Sequence, residues 1–110
     1  MINVLILIDI QKEYTTEGRP FYLNGFTKSL QNCAELLSHA RKNKWQIVHV
    51  QHSNQGKEGV TRFIPGTDHF NFVEGFEPNT TENHFIKTDF SCYSSRERSE
   101  ERRVGKECRL

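Results

Sequence analysis

VLILIDIQ, residues 4–11, predicts more about this chain than any other segment. Its five consecutive aliphatic residues run directly into the carboxylate of Asp9. Such an uninterrupted, branched run is typical of a strand buried on both faces, as in the parallel sheet of an α/β domain. Ligands and catalytic groups gather at the carboxyl ends of parallel strands. Asp9, closely followed by Gln11 and Tyr14, is therefore a candidate functional residue; the alternative is that its carboxylate only caps the next turn.

The period of the apolar residues changes after a loop. Between residues 26 and 44 they recur at steps of three and four, which predicts an amphipathic helix with Thr27 as its N-cap. A second strand follows at residues 45–52 and ends in His52. Strand, helix and strand form a βαβ unit, whose crossover is right-handed. If the two strands are parallel neighbours, His52 lies level with Asp9 and lines a pocket; a lone histidine is a weaker candidate for a metal ligand.

The next segment carries few signs of regular structure. Glycine and proline interrupt residues 53–81, but four phenylalanines predict that this long loop is ordered and packs over the domain. Residues 83–87 predict a short third strand that ends in Lys87, so a charged group again stands at the carboxyl end of a strand. We expect a helix beyond it, with Ser91 as its N-cap.

Length and composition limit the classes of protein to consider. The chain has 110 residues, which allows one domain, and its net charge of +1 does not favour a nucleic acid or an anionic membrane as partner. No run approaches the ~20 apolar residues of a transmembrane helix, and the N-terminus does not resemble a signal peptide. The three cysteines include no CxxC pair, which favours free thiols in a reducing, cytoplasmic location, with Cys33 in the core.

The composition changes at residue 98. Residues 98–109 are mostly charged, and Val104 is their one aliphatic side chain. This run resembles the in-frame translation of a common sequencing-library adapter. We therefore interpret residues 1–97 as the domain and residues 98–110 as an artefactual tail; the alternative is a genuine, solvated, charged helix or tail.

Four stretches in order resemble the isochorismatase-like hydrolases, the cysteine hydrolase superfamily. They are LIDIQKEY at residues 7–14, the helix and second strand over residues 36–52, FIPGT at residues 63–67, and residues 82–95 around Lys87. The resemblance covers nearly all of residues 1–95. It implies a three-layer α/β/α fold with a mostly parallel sheet, about three strands of which are present here, and a site of Asp, Lys and Cys that hydrolyses small amides or related molecules.

The resemblance also implies roles for particular residues. Asp9 matches the family aspartate, which takes the proton of the cysteine thiol and passes it to the leaving amine. Lys87 matches the lysine that stabilises the thiolate, the form in which a cysteine attacks a carbonyl. Gln11, Tyr14 and His52 are the expected substrate-binding residues.

The chain departs from the family pattern in two places. The family nucleophile follows a later strand, and Cys33, Cys92 and Cys108 do not match it. We therefore expect residues 1–97 to be the N-terminal part of a hydrolase domain and this chain to be inactive. QHSN at residues 51–54 replaces the metal-binding pattern of nicotinamidases, so we predict no metal and no cofactor. A branch of the family cleaves a vinyl ether with Asp and Lys but no cysteine, which leaves the reaction class open.

Truncation has a physical consequence and leaves one alternative function. Without a neighbour on one side, the first strand is expected to expose an apolar edge, which favours self-association. We expect a small-molecule substrate and no nucleic-acid or membrane partner. The alternative is a non-catalytic α/β module that binds a ligand or partner; it is weaker, because burying a carboxylate without a purpose is costly.

Overall fold

A parallel sheet with one long helix organises the chain. The structure, a computed structural model, describes residues 3–88 and the backbone of residues 105–109. Four strands form the sheet: β1 (Val4–Ile8), β2 (Gln46–His52), β3 (Asn83–Lys87) and β4 (Gly105–Arg109). Their order is β3-β2-β1-β4, and every neighbouring pair is parallel. The helix α1 spans Phe26–Lys42, and short 3₁₀ turns occupy Lys12–Tyr14 and Asp68–Phe70. The predicted α/β class with a parallel sheet is confirmed.

β1 is buried on both faces, as its unbroken aliphatic run predicts. Alternate side chains of a strand point to opposite faces. Leu5 and Leu7 pack against α1 and the loop that follows β2, whereas Ile6 and Ile8 pack with Val48 and other residues on the other face. The cluster on the helix side comprises Leu5, Leu7, Ile10, Cys33, Leu37, Ala40, Ile47, Val73 and Phe76.

α1 begins and ends slightly differently from its predicted range. Its N-cap is Gly25, which has a φ of 79° that glycine adopts without strain, so the expected cap at Thr27 is wrong. The helix stops at Lys42 because the chain reverses at Asn43 and Lys44, and Lys44 takes a left-handed φ of 57°. Apolar spacing does not detect such a reversal.

Cys33 lies on the buried face of α1, as predicted, with 3% of its surface exposed. It is disulfide-bonded, so the expectation of a free thiol at this position is wrong. Its partner sulfur lies outside the described side chains. Counting cysteines in a sequence does not reveal which of them approach each other in space.

β4 corrects the expectation that β1 has a free edge. Gly105–Arg109 pair with β1 in parallel, from Val4 opposite Gly105 to Ile8 opposite Arg109. The sequence reasoning missed this strand because it looked for an apolar pattern. Strand pairing is made by backbone N–H and C=O groups, so an unpaired edge can accept any extended segment. The origin of residues 98–110 stays a prediction, and residues 98–104 and the helix expected after Ser91 lie outside the described residues.

The long loop after β2 packs over the domain, as its phenylalanines predict. Phe63 and Phe76 are buried, with 0% and 3% of their surface exposed. Phe72 pairs with Gln11 in an isolated antiparallel bridge, which fastens the loop to the chain that leaves β1. Within the described ranges, no helix combines the length and the apolar character needed to cross a bilayer.

Candidate active site

Asp9 follows β1 directly and turns the chain out of the sheet. Its N–H donates to the carbonyl of Val50 at 2.9 Å, and its own carbonyl accepts from the N–H of Gln11 at 2.8 Å. Its φ of 60° lies in the left-handed region, which costs a non-glycine residue ~1 kcal/mol. Aspartate tolerates this conformation better than most residues. The turn leaves 15% of the side chain exposed at the carboxyl edge of the sheet.

Lys87 ends β3, which is separated from β1 by β2. Neighbouring strands lie ~4.8 Å apart, so a side chain must span ~10 Å to reach from β3 to the end of β1. The four-carbon stem of lysine covers most of this gap and the Asp9 side chain covers the rest, so that Nζ lies 3.4 Å from Oδ2 of Asp9. Only 1% of the Lys87 side chain is exposed. The structure thus brings the predicted Asp and Lys together in a largely buried ion pair, where the attraction is strong because water is excluded.

His52 ends β2, the strand between Asp9 and Lys87. Its Nδ1 lies 3.4 Å from Nζ of Lys87, and its ring meets that of Phe63 edge to face at a centroid distance of 5.1 Å. The residue is 1% exposed. Burial lowers the pKa of His52, and the Lys87 ammonium lowers this pKa further, so the ring is neutral near pH ~7. The predicted strand-end position of His52 is observed; its contact with a substrate stays a prediction.

Gln11 is completely buried and bridges two elements. Its Oε1 accepts from the N–H of His52 at 2.9 Å, while its Nε2 donates to the carbonyls of His52 and Phe70 at 3.1 and 2.8 Å. These three bonds engage both ends of the amide. Gln11 thereby joins the chain after β1 to the end of β2. Its predicted contact with a substrate stays a prediction.

Tyr14 belongs to an aromatic cluster on the loop side of the site. Its ring lies 5.5 Å from that of Phe63 and 6.3 Å from that of Phe21, measured between centroids. Tyr14 is half-buried. Its predicted role in substrate binding stays a prediction.

Two polar residues of this region escaped the sequence reasoning. Glu13 is completely buried and accepts hydrogen bonds from Nε of Arg19 and the N–H of Phe21, both at 3.0 Å, which fixes the loop after β1. Asn54 is 5% exposed, and its Oδ1 lies 3.0 Å from Nε2 of His52. Glu13 sits in a polar stretch that gives no sign of burial. For Asn54, the two-residue spacing from His52 was the available signal.

A second polar network lies at the other end of the strands. Glu82, just before β3, accepts from Nε and Nη2 of Arg41 at 2.9 and 3.0 Å, and its Oε1 lies 2.7 Å from Nε2 of His49. Burial lowers the pKa of His49, although the Glu82 carboxylate opposes that shift. A cavity of about 540 Å³ beside this network is lined by Arg41, Glu82, Trp45 and others. It opens at the amino ends of β2 and β3, away from Asp9 and Lys87.

The described side chains form no cluster of metal ligands. Within residues 3–88, no three His, Cys, Asp or Glu side chains lie close enough together to hold a metal ion. The chemistry available at the carboxyl edge is that of a largely buried carboxylate, a buried ammonium and a neutral imidazole. The expected lack of a metal and a cofactor stays a prediction.

The chain is similar to known proteins in sequence and in fold. The isochorismatase domain model matches residues 3–102. An uncharacterised isochorismatase family protein of Bacillus subtilis, YddQ, is 34% identical over 88 residues, which cover 79% of this chain and 47% of YddQ. The crystal structure of an isochorismatase from Pseudomonas putida is 36% identical, with a TM-score of 0.67, over 78% of this chain and 42% of that one. An isochorismatase family protein from Desulfovibrio vulgaris is 27% identical, with a TM-score of 0.77, over 89% of this chain and 58% of that one. The chain thus spans about half the length of the relatives it matches.

Proposed function

The chain belongs to the isochorismatase family, and from that premise we propose that its site serves the hydrolysis of a small amide or a related molecule. The observation that carries the proposal is the ion pair between Asp9 and Lys87, 3.4 Å apart at the carboxyl edge of the sheet. The two residues come from strands that are not neighbours, and their side chains converge on one point. A buried carboxylate and ammonium that meet at one point are candidates for a functional site.

In this proposal Asp9 is the general base. The Asp9 side chain is 15% exposed, although its Oδ1 is buried, whereas the Lys87 side chain is 1% exposed, so a reacting group would approach the pair from the side of Asp9. Asp9 accepts the proton of the attacking group and later returns it to the leaving amine. Lys87 stabilises the negative charge that develops during attack, an effect that is larger in a buried site than in water.

The nucleophile is the part of the mechanism for which this chain offers no candidate among its described side chains. Cys33 is buried in the helix core and disulfide-bonded, so it carries no thiolate. The family resemblance matches neither Cys92 nor Cys108 to the nucleophile. We therefore propose that this chain has no turnover alone and that the whole protein acts in the cytoplasm on a small molecule.

The experiment begins at the gene. The locus is resequenced from source DNA, and its complete product is purified beside this chain. Ammonia release is then measured over a panel of small primary amides. We expect turnover by the complete product, a loss of at least ~100-fold in Asp9→Asn and Lys87→Met, and no turnover by this chain. The matched control is Asp68→Asn, because Asp68 is 74% exposed and pairs with Lys12 outside the site.

Three results would overturn the proposal. If the complete product keeps its turnover in Asp9→Asn, Asp9 is not the general base. If this chain alone shows turnover that Asp9→Asn abolishes, the proposal that this chain is inactive is wrong. A complete product that binds the amides and never releases ammonia favours the non-catalytic binding module instead.

A further inference from the structure

The amide of Asn54 has a fixed orientation. Its Nδ2 donates to the carbonyl of Arg62 at 2.9 Å, and its Oδ1 lies 3.0 Å from Nε2 of His52. The reverse orientation would place an amide oxygen against the carbonyl oxygen of Arg62, and two acceptors cannot share a hydrogen bond. The backbone holds the residue as well, because the N–H of Asn54 donates to the carbonyl of Phe63 at 2.9 Å.

The orientation of Asn54 determines which nitrogen of His52 carries the proton. Since Oδ1 of Asn54 only accepts, Nε2 of His52 must donate to it. In a neutral imidazole the other nitrogen, Nδ1, then presents a lone pair. Nδ1 is the atom that lies 3.4 Å from Nζ of Lys87, whose ammonium has only hydrogens to offer.

We infer that His52 and Asn54 are positioning residues. Asn54 holds His52 in its Nε2–H tautomer, so that Nδ1 of His52 accepts a hydrogen bond from Lys87 and holds its ammonium beside Asp9. The inference rests on the proposed function for its purpose, since the reaction needs Lys87 in place. The hydrogen-bond arrangement itself can be tested without substrate. Either alternative state of His52, the Nδ1–H tautomer or the imidazolium, would direct an N–H at the ammonium of Lys87.

The charges around His52 agree with a neutral ring. Lys87 faces it from β3, Asp9 from the end of β1 and Lys57 from the loop after β2. Burial and the two ammonium groups lower the pKa of His52, and together they outweigh the Asn54 hydrogen bond and the Asp9 carboxylate, which raise it. Lys57 Nζ also donates to the carbonyl of Thr88 at 2.6 Å, next to the end of β3.

Nitrogen NMR of this chain tests the inference directly. Long-range ¹H–¹⁵N correlation spectra distinguish the two tautomers and the imidazolium for each of the five histidines. The signal of His52 is assigned by its loss in His52→Gln. We expect the Nε2–H tautomer at neutral pH, together with a slowly exchanging ammonium signal from Lys87. An Nδ1–H tautomer or an imidazolium at His52 in the unaltered chain would overturn the inference, whatever any variant does.

Asn54→Asp is the informative variant because it nearly keeps the shape and changes the charge. A carboxylate against Nε2 favours the imidazolium, so we expect the pKa of His52 to rise and the ammonium signal of Lys87 to broaden or vanish. Asn24→Asp adds the same charge at an exposed position of the loop after β1 and should change neither signal. If His52 keeps its tautomer and titration in folded Asn54→Asp, the inference is wrong. If Asn54→Asp does not fold, the tautomer of His52 in the unaltered chain alone decides whether the inference is right.

Failure of this inference and failure of the proposed function are distinguishable. If His52 has the Nε2–H tautomer but the complete product lacks hydrolase activity, the hydrogen-bond arrangement is supported and its proposed purpose is refuted. If the complete product is a hydrolase but His52 has the Nδ1–H tautomer, the hydrogen-bond arrangement is refuted and the proposed function is supported. In the active product, Asn54→Asp should lower kcat with little change in KM, because Asn54 is buried and acts through His52.

Discussion

Glu82 is the carboxylate whose charge state the structure ties most clearly to folding. Burial alone raises its pKa, but hydrogen bonds from Arg41, the N–H of Asn79 and His49 outweigh that effect and lower the pKa from 4.5 to about 2. The Glu82 side chain is 6% exposed and that of Arg41 is 30% exposed. Because the pKa is lower in the folded state, the stabilisation is present above pH ~4.5 and is lost as the pH falls towards ~2.

The size of this contribution follows from the two pKa values. The difference between 4.5 and about 2 corresponds to ~3 kcal/mol, at ~1.4 kcal/mol per pKa unit. Linkage predicts that ~2 kcal/mol of it disappears between pH ~7 and pH ~3. Solvent screening at the partly exposed Arg41 reduces the expected loss to ~1–2 kcal/mol.

Urea unfolding of Glu82→Gln at pH ~7 and pH ~3 measures this loss. Both members of the comparison carry His49→Gln, because the pKa of the buried imidazole is also shifted by folding and glutamine can still donate to Glu82. We expect the stability difference between the two proteins to shrink by ~1–2 kcal/mol at the lower pH. Glu35→Gln, on the exposed face of α1, should show no such change. A difference for Glu82→Gln that is the same at both pH values would refute the reasoning.

Three further substitutions test the packing around the site. Asp9→Gly should be ~1 kcal/mol more stable than Asp9→Ala in urea unfolding, because both remove the carboxylate and only glycine adopts the φ of 60° freely; equal stabilities would argue against backbone strain. Gln11→Ala should cost ~3 kcal/mol, since it breaks three hydrogen bonds in a buried position, while Gln31→Ala on the exposed face of α1 should stay within ~0.5 kcal/mol of the unaltered chain. Phe63→Ala should cost ~3–5 kcal/mol, because this ring is fully buried among aromatic neighbours, and a melting temperature close to that of the unaltered chain would contradict this placement.

The regular elements were predictable because their signals are local. The aliphatic run of β1, the three-and-four spacing of α1 and the short apolar stretch of β2 each fall within a few residues of the observed bounds, and β3 matches at both ends. Parallel pairing then places the ends of β1, β2 and β3 at one edge. Asp9, His52 and Lys87 could therefore be predicted to lie near each other without any knowledge of their contacts.

The contacts themselves depend on how distant segments meet, which no local pattern records. Gln11 finds its partners in His52 and Phe70, and both lie far along the chain. Asn54 takes its orientation from a carbonyl in the long loop. β4 pairs through its backbone, so its charged side chains gave no warning of a strand. The sequence around Glu82 predicts a surface residue, because its contacts with Arg41 and His49 are formed only in the fold.

The reach of Lys87 across β2 has a consequence for the order of folding. The pair that it forms with Asp9 joins two positions at nearly opposite ends of residues 3–88, with a whole strand inserted between them. Closing a loop of that length costs chain entropy that no local contact offsets. Because β2 sets the spacing between the ends of β1 and β3, we expect the ion pair to form late in the assembly of the sheet. A spectroscopic probe at Lys87 would therefore report the completion of folding, later than a probe in α1.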